Sequence, residues 1–422
     1  MRTTNFLLLV AFVSTGNLRA QPTCEIGAYR SPTGQLAAIT VPAPGSPGLR
    51  YTLLDGRRGY LSDATAPFHC LDGKLSDGVA AWEHVDLKQT RTSFRSGGVT
   101  LRGLLMEPKQ KSEAPPPLLV FVHGSEKTSP IGAASQYLLS AQGVSTFYFD
   151  KRGTGESTGD YTQDFLLLAD DAAAAVQEAR RLATIKYSRV GLFGGSQGGW
   201  VAPLAALKSK ADFVEVGFGV VGTAAEQDQW QVDYQLSQLG YDDKIKADVH
   251  AVTEITAKIA ASNFHQHLDE LATLRDKYAK ASWFKQIDGQ YSGELLRGEV
   301  ERAQSESPGV PWGYSGIETL RRLSIPQLWV LAGSDSVAPS APTITRLQQL
   351  RSAGSNIEIV VFPNTDHGIR NFTIAADGTR KAEGVADGYF RLLADWAKGV
   401  SAPPYATAIL KAPASAAHKS MR

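Results

Sequence analysis

The chain has 422 residues, of which 43 are basic and 42 acidic, so its formal net charge is +1. This balance excludes the strongly basic field that nucleic acid or an anionic membrane would require, and we expect neither as a partner. The length exceeds what one hydrophobic core usually fills, which predicts a main domain with smaller additions.

The first twenty residues are typical of an export signal. Arg2 precedes the apolar run of residues 6–13, and small or polar residues follow as far as Ala20. The run is far too short to span a bilayer as a helix. We therefore expect a signal peptide at residues 1–20 and a secreted or periplasmic product without stable membrane insertion. An apolar N-terminal strand or buried helix is the alternative.

Residues 21–89 predict a small β-rich N-terminal module. Short apolar runs at 36–41 and 51–54 are separated by turn-forming Asp-Gly pairs. Both cysteines of the chain, Cys24 and Cys70, fall inside it. In an oxidising compartment this pair would form a disulfide that closes a loop, and two free thiols are the alternative.

Residues 90–222 and 324–400 predict the main domain, because strand-like apolar runs alternate there with helical stretches. Several runs are apolar throughout, as in strands covered by helices on both faces, so we expect an open, mostly parallel α/β sheet. The predicted strands are 99–106, 118–122, 144–150, 189–193, 213–220, 327–332 and 357–362. The clearest predicted helices are 164–184 and 383–398.

The alternation stops between residues 223 and 323, where long polar helical patterns carry several tryptophans and tyrosines. Ligands of such sheets bind at the carboxyl ends of the strands, so a helical insert after strand 213–220 predicts a lid over the site. A surface decoration is the alternative. Residues 401–422 are rich in proline and alanine and predict a flexible tail.

The pattern Gly-x-Ser-x-Gly occurs twice, at residues 155–159 and 194–198. A nucleophilic serine of this kind stands on a sharp turn between a strand and a helix. Ser196 meets that requirement, since an apolar strand precedes it, a helical run follows, and the flanking glycines allow close packing. Ser157 does not, because several residues separate it from its strand and no helix follows at once. Ser196 is therefore the predicted nucleophile.

The base should be a histidine, because a serine hydroxyl attacks only when its proton is taken. On such a sheet the partners follow in the order serine, acid, histidine. Of the histidines after Ser196, three fall in the helical insert and His418 falls in the tail. His367 remains, just past the last strand, and it is the predicted base. A capped loop histidine is the alternative.

The acid should follow the strand before that one. Asp335 comes directly after the predicted strand 327–332 and is the predicted partner of His367. Asp366 is its rival, but as the direct neighbour of His367 it would normally point away.

Two backbone donors are expected to stabilise an oxyanion. One is the N–H of Gln197, the residue after the nucleophile, and the other comes from the loop after an earlier strand, where we select Ser125. His123 in that loop is more readily explained as a structural residue than as a second base, since one base completes the mechanism.

Taken together, these motifs resemble the α/β-hydrolase superfamily over residues 90–399. The resemblance is greatest to bacterial exported esterases, and the chain is also similar to serine aminopeptidases and prolyl-oligopeptidase-like hydrolases. It implies an α/β-hydrolase fold and acyl transfer to water without a cofactor. The motifs that carry it are Phe-Val-His-Gly-Ser at 121–125, Phe-Asp-Lys-Arg-Gly-Thr-Gly-Glu-Ser at 149–157, residues 194–199, Leu-Ala-Gly-Ser-Asp at 331–335 and Asp-His-Gly at 366–368.

The expected activity is therefore hydrolysis of a small-molecule carboxylic ester, with no metal, because no cluster with ligand spacing is visible. A peptidase with the same catalytic residues is the first alternative. A small aminopeptidase would need a carboxylate to hold a free amine, and Glu226 or Asp228 could serve. A non-catalytic binding protein on the same fold is the second alternative.

Overall fold

The computed structural model describes residues 24–42, 46, 48–71, 73–109 and 114–411. The export signal expected at residues 1–20 and the last part of the expected tail, from residue 412 onward, lie outside the described residues. Among the described residues, no helix combines the length and the apolar character needed to cross a membrane.

The N-terminal module is an antiparallel sheet of seven short strands in the order β4-β3-β2-β1-β7-β6-β5. The prediction of a β-rich module is confirmed. Alternating side chains bury a small core in which Phe68 packs edge-on against Trp82, 5.1 Å between ring centroids. The strands are β1 (Gly27–Arg30), β2 (Leu36–Thr40), β3 (Arg50–Leu53), β4 (Arg58–Tyr60), β5 (His69–Leu71), β6 (Lys74–Ser76) and β7 (Ala81–His84).

The predicted disulfide between Cys24 and Cys70 is present, with 5.3 Å between the two Cα atoms. It joins the segment before β1 to β5, at opposite ends of the module's sequence. A module of this size buries little apolar surface, so a covalent link contributes a large share of its stability.

The main sheet has nine strands in the order β18-β15-β14-β13-β12-β10-β11-β9-β8. The six strands from β15 to β11 in this order run parallel, and β18, β9 and β8 pair antiparallel at the edges. The strands of this sheet are β8 (Leu87–Ser96), β9 (Val99–Pro108), β10 (Leu118–Val122), β11 (Ser145–Phe149), β12 (Val190–Gly195), β13 (Phe213–Gly217), β14 (Gln327–Ala332), β15 (Ile357–Phe362) and β18 (Ile409–Leu410). A separate antiparallel pair consists of β16 (Arg370–Ile374) and β17 (Arg380–Val385).

Helices cover both faces of this sheet. Successive side chains of a strand point to opposite faces, so Leu118 and Val120 join the core under α2 and α3, while Leu119 joins the core under α1 and α11. The helices are α1 (Ala134–Ala141), α2 (Phe165–Leu182), α3 (Gly198–Ser209), α4 (Ala224–Gln238), α5 (Asp243–Ala261), α6 (Leu268–Tyr278), α7 (Ser292–Arg297), α8 (Val300–Glu306), α9 (Ile317–Arg322), α10 (Ser340–Ser352) and α11 (Tyr389–Ala397).

Among the boundaries that differ from the sequence predictions, three change the assignment of a segment. Strand β8 begins at Leu87 and belongs to the main sheet, so the module ends slightly before residue 89. The last helix begins at Tyr389 rather than at 383, because Glu383 lies in the exposed hairpin β16–β17 and Gly388, with φ +85°, starts the helix. Residues 401–411 are packed rather than loose, since Tyr405 is buried and β18 pairs with β15.

The insert between β13 and β14 consists of helices α4 to α9 and has its own apolar core. Helix α4 begins with a capping box, in which Thr223 and Glu226 each accept the other's backbone N–H. The buried Asp228 carboxylate accepts the backbone N–H groups of Gln290, Tyr291 and Ser292 and so joins α4 to the start of α7. These bonds fix two segments of the insert to each other.

The N-terminal module contacts the main domain through buried apolar side chains, among them Ala28 and Leu36, and through close backbone contacts. Gly56, with φ +85°, lies so close to Val385 that a Cβ atom there would collide with the Val385 carbonyl oxygen. A Cβ atom on Gly384 would likewise collide with the carbonyl oxygen of Gly56. Elsewhere along the contact, the Arg30 guanidinium donates to the Ala141 carbonyl oxygen at 2.9 Å.

Candidate active site

Ser196 occupies the turn between β12 and α3, and its φ of +52° is unusual for a residue with a side chain. The turn is tight because neighbouring backbones nearly touch. A Cβ atom on Gly198 would lie 2.5 Å from the Val122 carbonyl oxygen, and one on Gly194 would collide with the Gly198 carbonyl oxygen. The glycines predicted from the sequence to flank the serine therefore permit this geometry.

His367 lies in the loop after β15, and its Nε2 atom is 3.0 Å from the hydroxyl oxygen of Ser196. The ring of Phe218 packs edge-on against the imidazole at 5.0 Å between centroids. Together these contacts orient the imidazole toward the serine.

Asp335 lies just after β14 and is 1% exposed. Its Oδ2 and Oδ1 atoms are 3.0 and 3.1 Å from Nδ1 of His367. Oδ1 also accepts the backbone N–H groups of Val337 at 3.0 Å and Ala338 at 2.7 Å. The predicted nucleophile, base and acid thus form one chain of hydrogen bonds.

Asp366 does not bond to the imidazole of His367. Its carboxylate accepts the Ser336 backbone N–H at 2.7 Å and the His367 backbone N–H at 2.8 Å, and pairs with the Arg380 guanidinium at 2.8 Å. Partial burial raises the pKa of Asp366, but these bonds outweigh burial and hold the pKa below its ordinary value. Asp366 therefore braces the loop that carries the histidine.

The two predicted oxyanion donors line the same cavity as Ser196 and His367, a space of about 460 Å³. Gln197 begins the first turn of α3, whose N-terminal end carries partial positive charge. The loop with Ser125 lies against the nucleophile, since a Cβ atom on Gly124 would be 3.2 Å from the Ser196 Cβ atom. Apart from the hydrogen bonds within helices and strands, the backbone N–H groups of Gln197 and Ser125 donate to no backbone carbonyl oxygen of the described residues.

Lys151 and Tyr161 hold this loop, a role that sequence reasoning missed. The Lys151 ammonium donates to the Gly124 carbonyl oxygen at 2.7 Å, and the Tyr161 hydroxyl donates to the Ser125 carbonyl oxygen at 2.7 Å. Lys151 Nζ also lies 4.8 Å from the centre of the Tyr161 ring. Burial lowers the pKa of Lys151 to about 8, although the nearby Glu126 carboxylate acts in the opposite direction.

Three polar residues singled out near the predicted site have structural roles. The Ser157 hydroxyl donates to the Asp150 carbonyl oxygen at 2.7 Å. Arg152 makes a buried, bidentate ion pair with Asp171 at 2.7 Å. His123 is buried, which lowers its pKa, and its Nε2 atom accepts the Lys151 backbone N–H at 3.4 Å.

The helical insert forms the opposite side of the 460 Å³ cavity through Gln290, Val310 and Trp312. The two insert carboxylates considered for amine binding are already engaged. Asp228 is fully buried and bonded within the insert, and Glu226 pairs with Arg346 at 2.6 Å. No group of three metal-ligating side chains is found in the described part of the chain.

Residues 113–273 match the family described as serine aminopeptidase, S33. The resemblance to the α/β-hydrolase superfamily is thereby confirmed. No curated protein matches the chain in sequence.

Solved structures similar to this chain include peptidases and esterases. An acylaminoacyl peptidase of Pyrococcus horikoshii is 17% identical over 79% of this chain and 44% of its own, with a TM-score of 0.42. An esterase of Pyrococcus furiosus is 14% identical over 67% and 84%, with a TM-score of 0.43. Est1E of Butyrivibrio proteoclasticus, bound to ferulic acid, is 19% identical over 73% and 96%, with a TM-score of 0.42. The chain thus spans less than half the length of the acylaminoacyl peptidase.

Proposed function

We propose that this α/β-hydrolase cleaves carboxylic esters, with Ser196 as nucleophile, His367 as general base and acid, and Asp335 as the residue that orients the imidazole. The observation that carries the proposal is the continuous hydrogen-bond chain from Ser196 Oγ to His367 Nε2 at 3.0 Å and from His367 Nδ1 to Asp335 at 3.0 Å. Such a chain activates a hydroxyl for attack on an acyl carbon.

In the first half of the reaction, Ser196 Oγ forms a bond to the acyl carbon as its proton passes to Nε2 of His367. The buried Asp335 carboxylate stabilises the imidazolium that results. The backbone N–H groups of Gln197 and Ser125 are the proposed donors to the negative charge that develops on the acyl oxygen. The alcohol leaves with the proton from His367, and an acyl-serine ester remains.

In the second half, His367 takes a proton from water, and the resulting hydroxide attacks the acyl-serine ester. Collapse of this intermediate returns the proton to Ser196 Oγ and releases the carboxylic acid. The insert at 223–323 is proposed to act as the lid that limits water in the cavity, because Gln290, Val310 and Trp312 line it.

A peptidase is retained as the second candidate because Glu126, an acidic residue close to Ser196, lines the cavity. A Cβ atom on Gly124 would be 2.8 Å from Glu126 Oε2 and 3.2 Å from the Ser196 Cβ atom, so this carboxylate lies beside the nucleophile. Burial raises the pKa of Glu126, but contacts with His123 and other neighbours bring it to about 2. An ionised carboxylate at this place could hold the free amine of a peptide.

Labelling by a fluorophosphonate tests the nucleophile. We expect the wild-type protein and Ser157→Ala to be labelled and Ser196→Ala to remain unlabelled, since only the Ser196 hydroxyl contacts the base. Ser157→Ala is the matched control because it lies in the other Gly-x-Ser-x-Gly pattern. An unlabelled wild-type protein would favour the non-catalytic binding protein.

Paired substrates separate the two hydrolase candidates. For an esterase, kcat/KM is higher for short p-nitrophenyl esters than for aminoacyl p-nitroanilides, and Glu126→Gln leaves the ester rates nearly unchanged. Faster anilide turnover that collapses in Glu126→Gln would identify an aminopeptidase instead.

The proposed location is outside the cytoplasm, in a secreted or periplasmic form. The disulfide between Cys24 and Cys70 supports this, because such bonds persist in oxidising compartments. Detection of the protein, with its disulfide intact, in the cytoplasmic fraction alone would contradict the proposal.

A further inference from the structure

A second cavity, of about 740 Å³, lies between the N-terminal module and the main domain. Strands β3 and β4 of the module form one side, and the ends of β10 and β12 form another. Gly56 and Val385, which make the close backbone contact between the two parts, both line this cavity.

One wall of this cavity is aromatic. The ring of Phe121, which is partly exposed, is stacked between those of the buried Tyr148 and Phe193, with centroid separations of 4.2 and 5.1 Å. The three side chains come from adjacent strands, and Phe121 presents an apolar surface to the cavity. Such a surface favours an aromatic ring or an alkyl chain.

Three arginines line the same cavity, Arg50 and Arg58 from the module and Arg370 from β16. Among the described residues, none of the three is within ion-pair distance of a carboxylate, and Arg50 instead donates to the Tyr60 hydroxyl at 2.8 Å. Burial lowers the pKa of Arg58, and the neighbouring Arg370 and Arg50 lower it further. Grouped like charges raise the free energy of the fold, and a bound anion would relieve that repulsion.

The cavity is next to the proposed nucleophile and base. Phe218, which lines it, packs edge-on against His367, and Gly368, which also lines it, is the next residue in the chain. Lys127 lines both this cavity and the one that contains Ser196. The two cavities are therefore neighbours, on either side of Lys127.

We propose that the second cavity binds the part of the substrate that carries an aromatic or alkyl segment ending in a carboxylate. The aromatic wall holds the segment, and the guanidinium groups of Arg58 and Arg370 bind the carboxylate with charge-assisted hydrogen bonds. This inference rests on the proposed ester hydrolysis at Ser196 and gives the N-terminal module a role in choosing the substrate.

The kinetic test compares esters that differ only in a terminal charge. Mono-p-nitrophenyl adipate and p-nitrophenyl hexanoate probe the acid half. The acetate esters of 4-hydroxyphenylacetic acid and of 4-ethylphenol probe the alcohol half. We expect kcat/KM to be about 10-fold or more higher for the charged member of one pair, the effect of a charge-assisted hydrogen bond. The pair that responds identifies which half enters the cavity.

The variant Arg58→Gln/Arg370→Gln should abolish that preference and leave the rate with the neutral ester nearly unchanged. Arg95→Gln is the matched control, because Arg95 is an exposed arginine on β8 that bonds to Thr100 and does not line the cavity. Equal kcat/KM within both pairs, or a preference that survives the double variant, would overturn the inference.

A binding measurement separates this inference from the proposed activity. Calorimetry with 4-phenylbutyrate and Ser196→Ala should detect binding that weakens about 10-fold or more when Arg58→Gln/Arg370→Gln is added. If no ester is cleaved but 4-phenylbutyrate binding depends on the arginines, the proposed ester hydrolysis is refuted and the anion site is supported. If 4-phenylbutyrate does not bind, or binds equally well to the arginine variant, the anion site is refuted, whichever substrates the enzyme cleaves.

Discussion

The Asp335 carboxylate lies 3.0 Å from Nδ1 of His367 and accepts two backbone N–H groups from the start of its own loop. Those two donors fix the carboxylate independently of the histidine. The acid is thus held in position before a substrate arrives, and little reorganisation is needed when the imidazole becomes charged.

Asp335→Asn should lower kcat by about 10³ to 10⁴-fold at pH 7, because an amide stabilises the wrong imidazole tautomer and cannot balance its charge. The rate of p-nitrophenyl acetate hydrolysis measures this, with circular dichroism as the check on folding. Asp366→Asn is the control and should lose much less activity, since its carboxylate does not contact the imidazole ring. Equal losses in the two variants would contradict the assignment of the acid.

Lys151 should impose an alkaline limit on activity. Its ammonium donates to the Gly124 carbonyl oxygen, and this bond orients and polarises the peptide whose N–H belongs to Ser125. Because the pKa of Lys151 is lowered to about 8, the charge is lost as pH rises through that value, and kcat should decline above it. Lys151→Met should be about 10-fold slower at pH 7 and should lack that decline.

The groups around Lys151 are two that do not titrate in this range, Glu126 and Tyr161, whose pKa values are shifted to about 2 and about 12. The others are His123, whose pKa is lowered by burial, and the cation Lys127. Profiles of kcat from pH 6 to 10 on the wild-type protein and Lys151→Met provide the comparison. Profiles of identical shape would refute the role of Lys151.

Gly198→Ala should disrupt the turn that carries the nucleophile. The new Cβ atom would lie 2.5 Å from the Val122 carbonyl oxygen, in backbone that cannot easily move, so we expect a loss of about 2 to 3 kcal/mol in the free energy of unfolding. Fluorophosphonate labelling should also be lost. Gly313→Ala is the control, since no atom lies within 4 Å of its Cβ position, and its stability should change by less than about 0.5 kcal/mol.

Removal of the disulfide should destabilise the N-terminal module. Cys24 and Cys70 are 46 residues apart, and the chain-entropy relation gives about 4 kcal/mol for a loop of this length. In Cys24→Ala/Cys70→Ala, urea unfolding followed by circular dichroism should begin at lower denaturant than in the wild-type protein. Cleavage of p-nitrophenyl acetate at 25 °C should persist, because the proposed catalytic residues lie outside the module. An unchanged midpoint would count against a stabilising role for the bond.

Much of the fold could be predicted because many of its strands coincide with clear patterns in the local sequence. Strand bounds at 118–122, 327–332 and 357–362 agree with the structure, since each is a continuous apolar run ended by turn residues. Ser196, His367 and Asp335 could be selected for a similar reason, as each directly follows a strand in an order that the sheet imposes.

Other features depend on contacts between residues far apart in the sequence. Lys151 and Tyr161 bond to carbonyl oxygens 27 and 36 residues away, and no local pattern reveals such partners. The hairpin of β16 and β17 is exposed on both faces, so it lacks the apolar alternation that marks a strand. Strand β18 is two residues long and is formed by pairing with β15 at the edge of the sheet.

The proposed catalytic residues and the N-terminal module lie in different parts of the sequence, which meet at the close backbone contact of Gly56 with Val385. The proposed proton transfer and acyl chemistry take place at turns that follow β12, β14 and β15, whereas one of the two arginines proposed to bind the substrate carboxylate, Arg58, lies on β4 of the module. Substitutions on β4 are therefore expected to change which substrates are accepted without altering how the bond is broken. A relative with a different N-terminal module at this contact would be expected to catalyse the same reaction on other substrates.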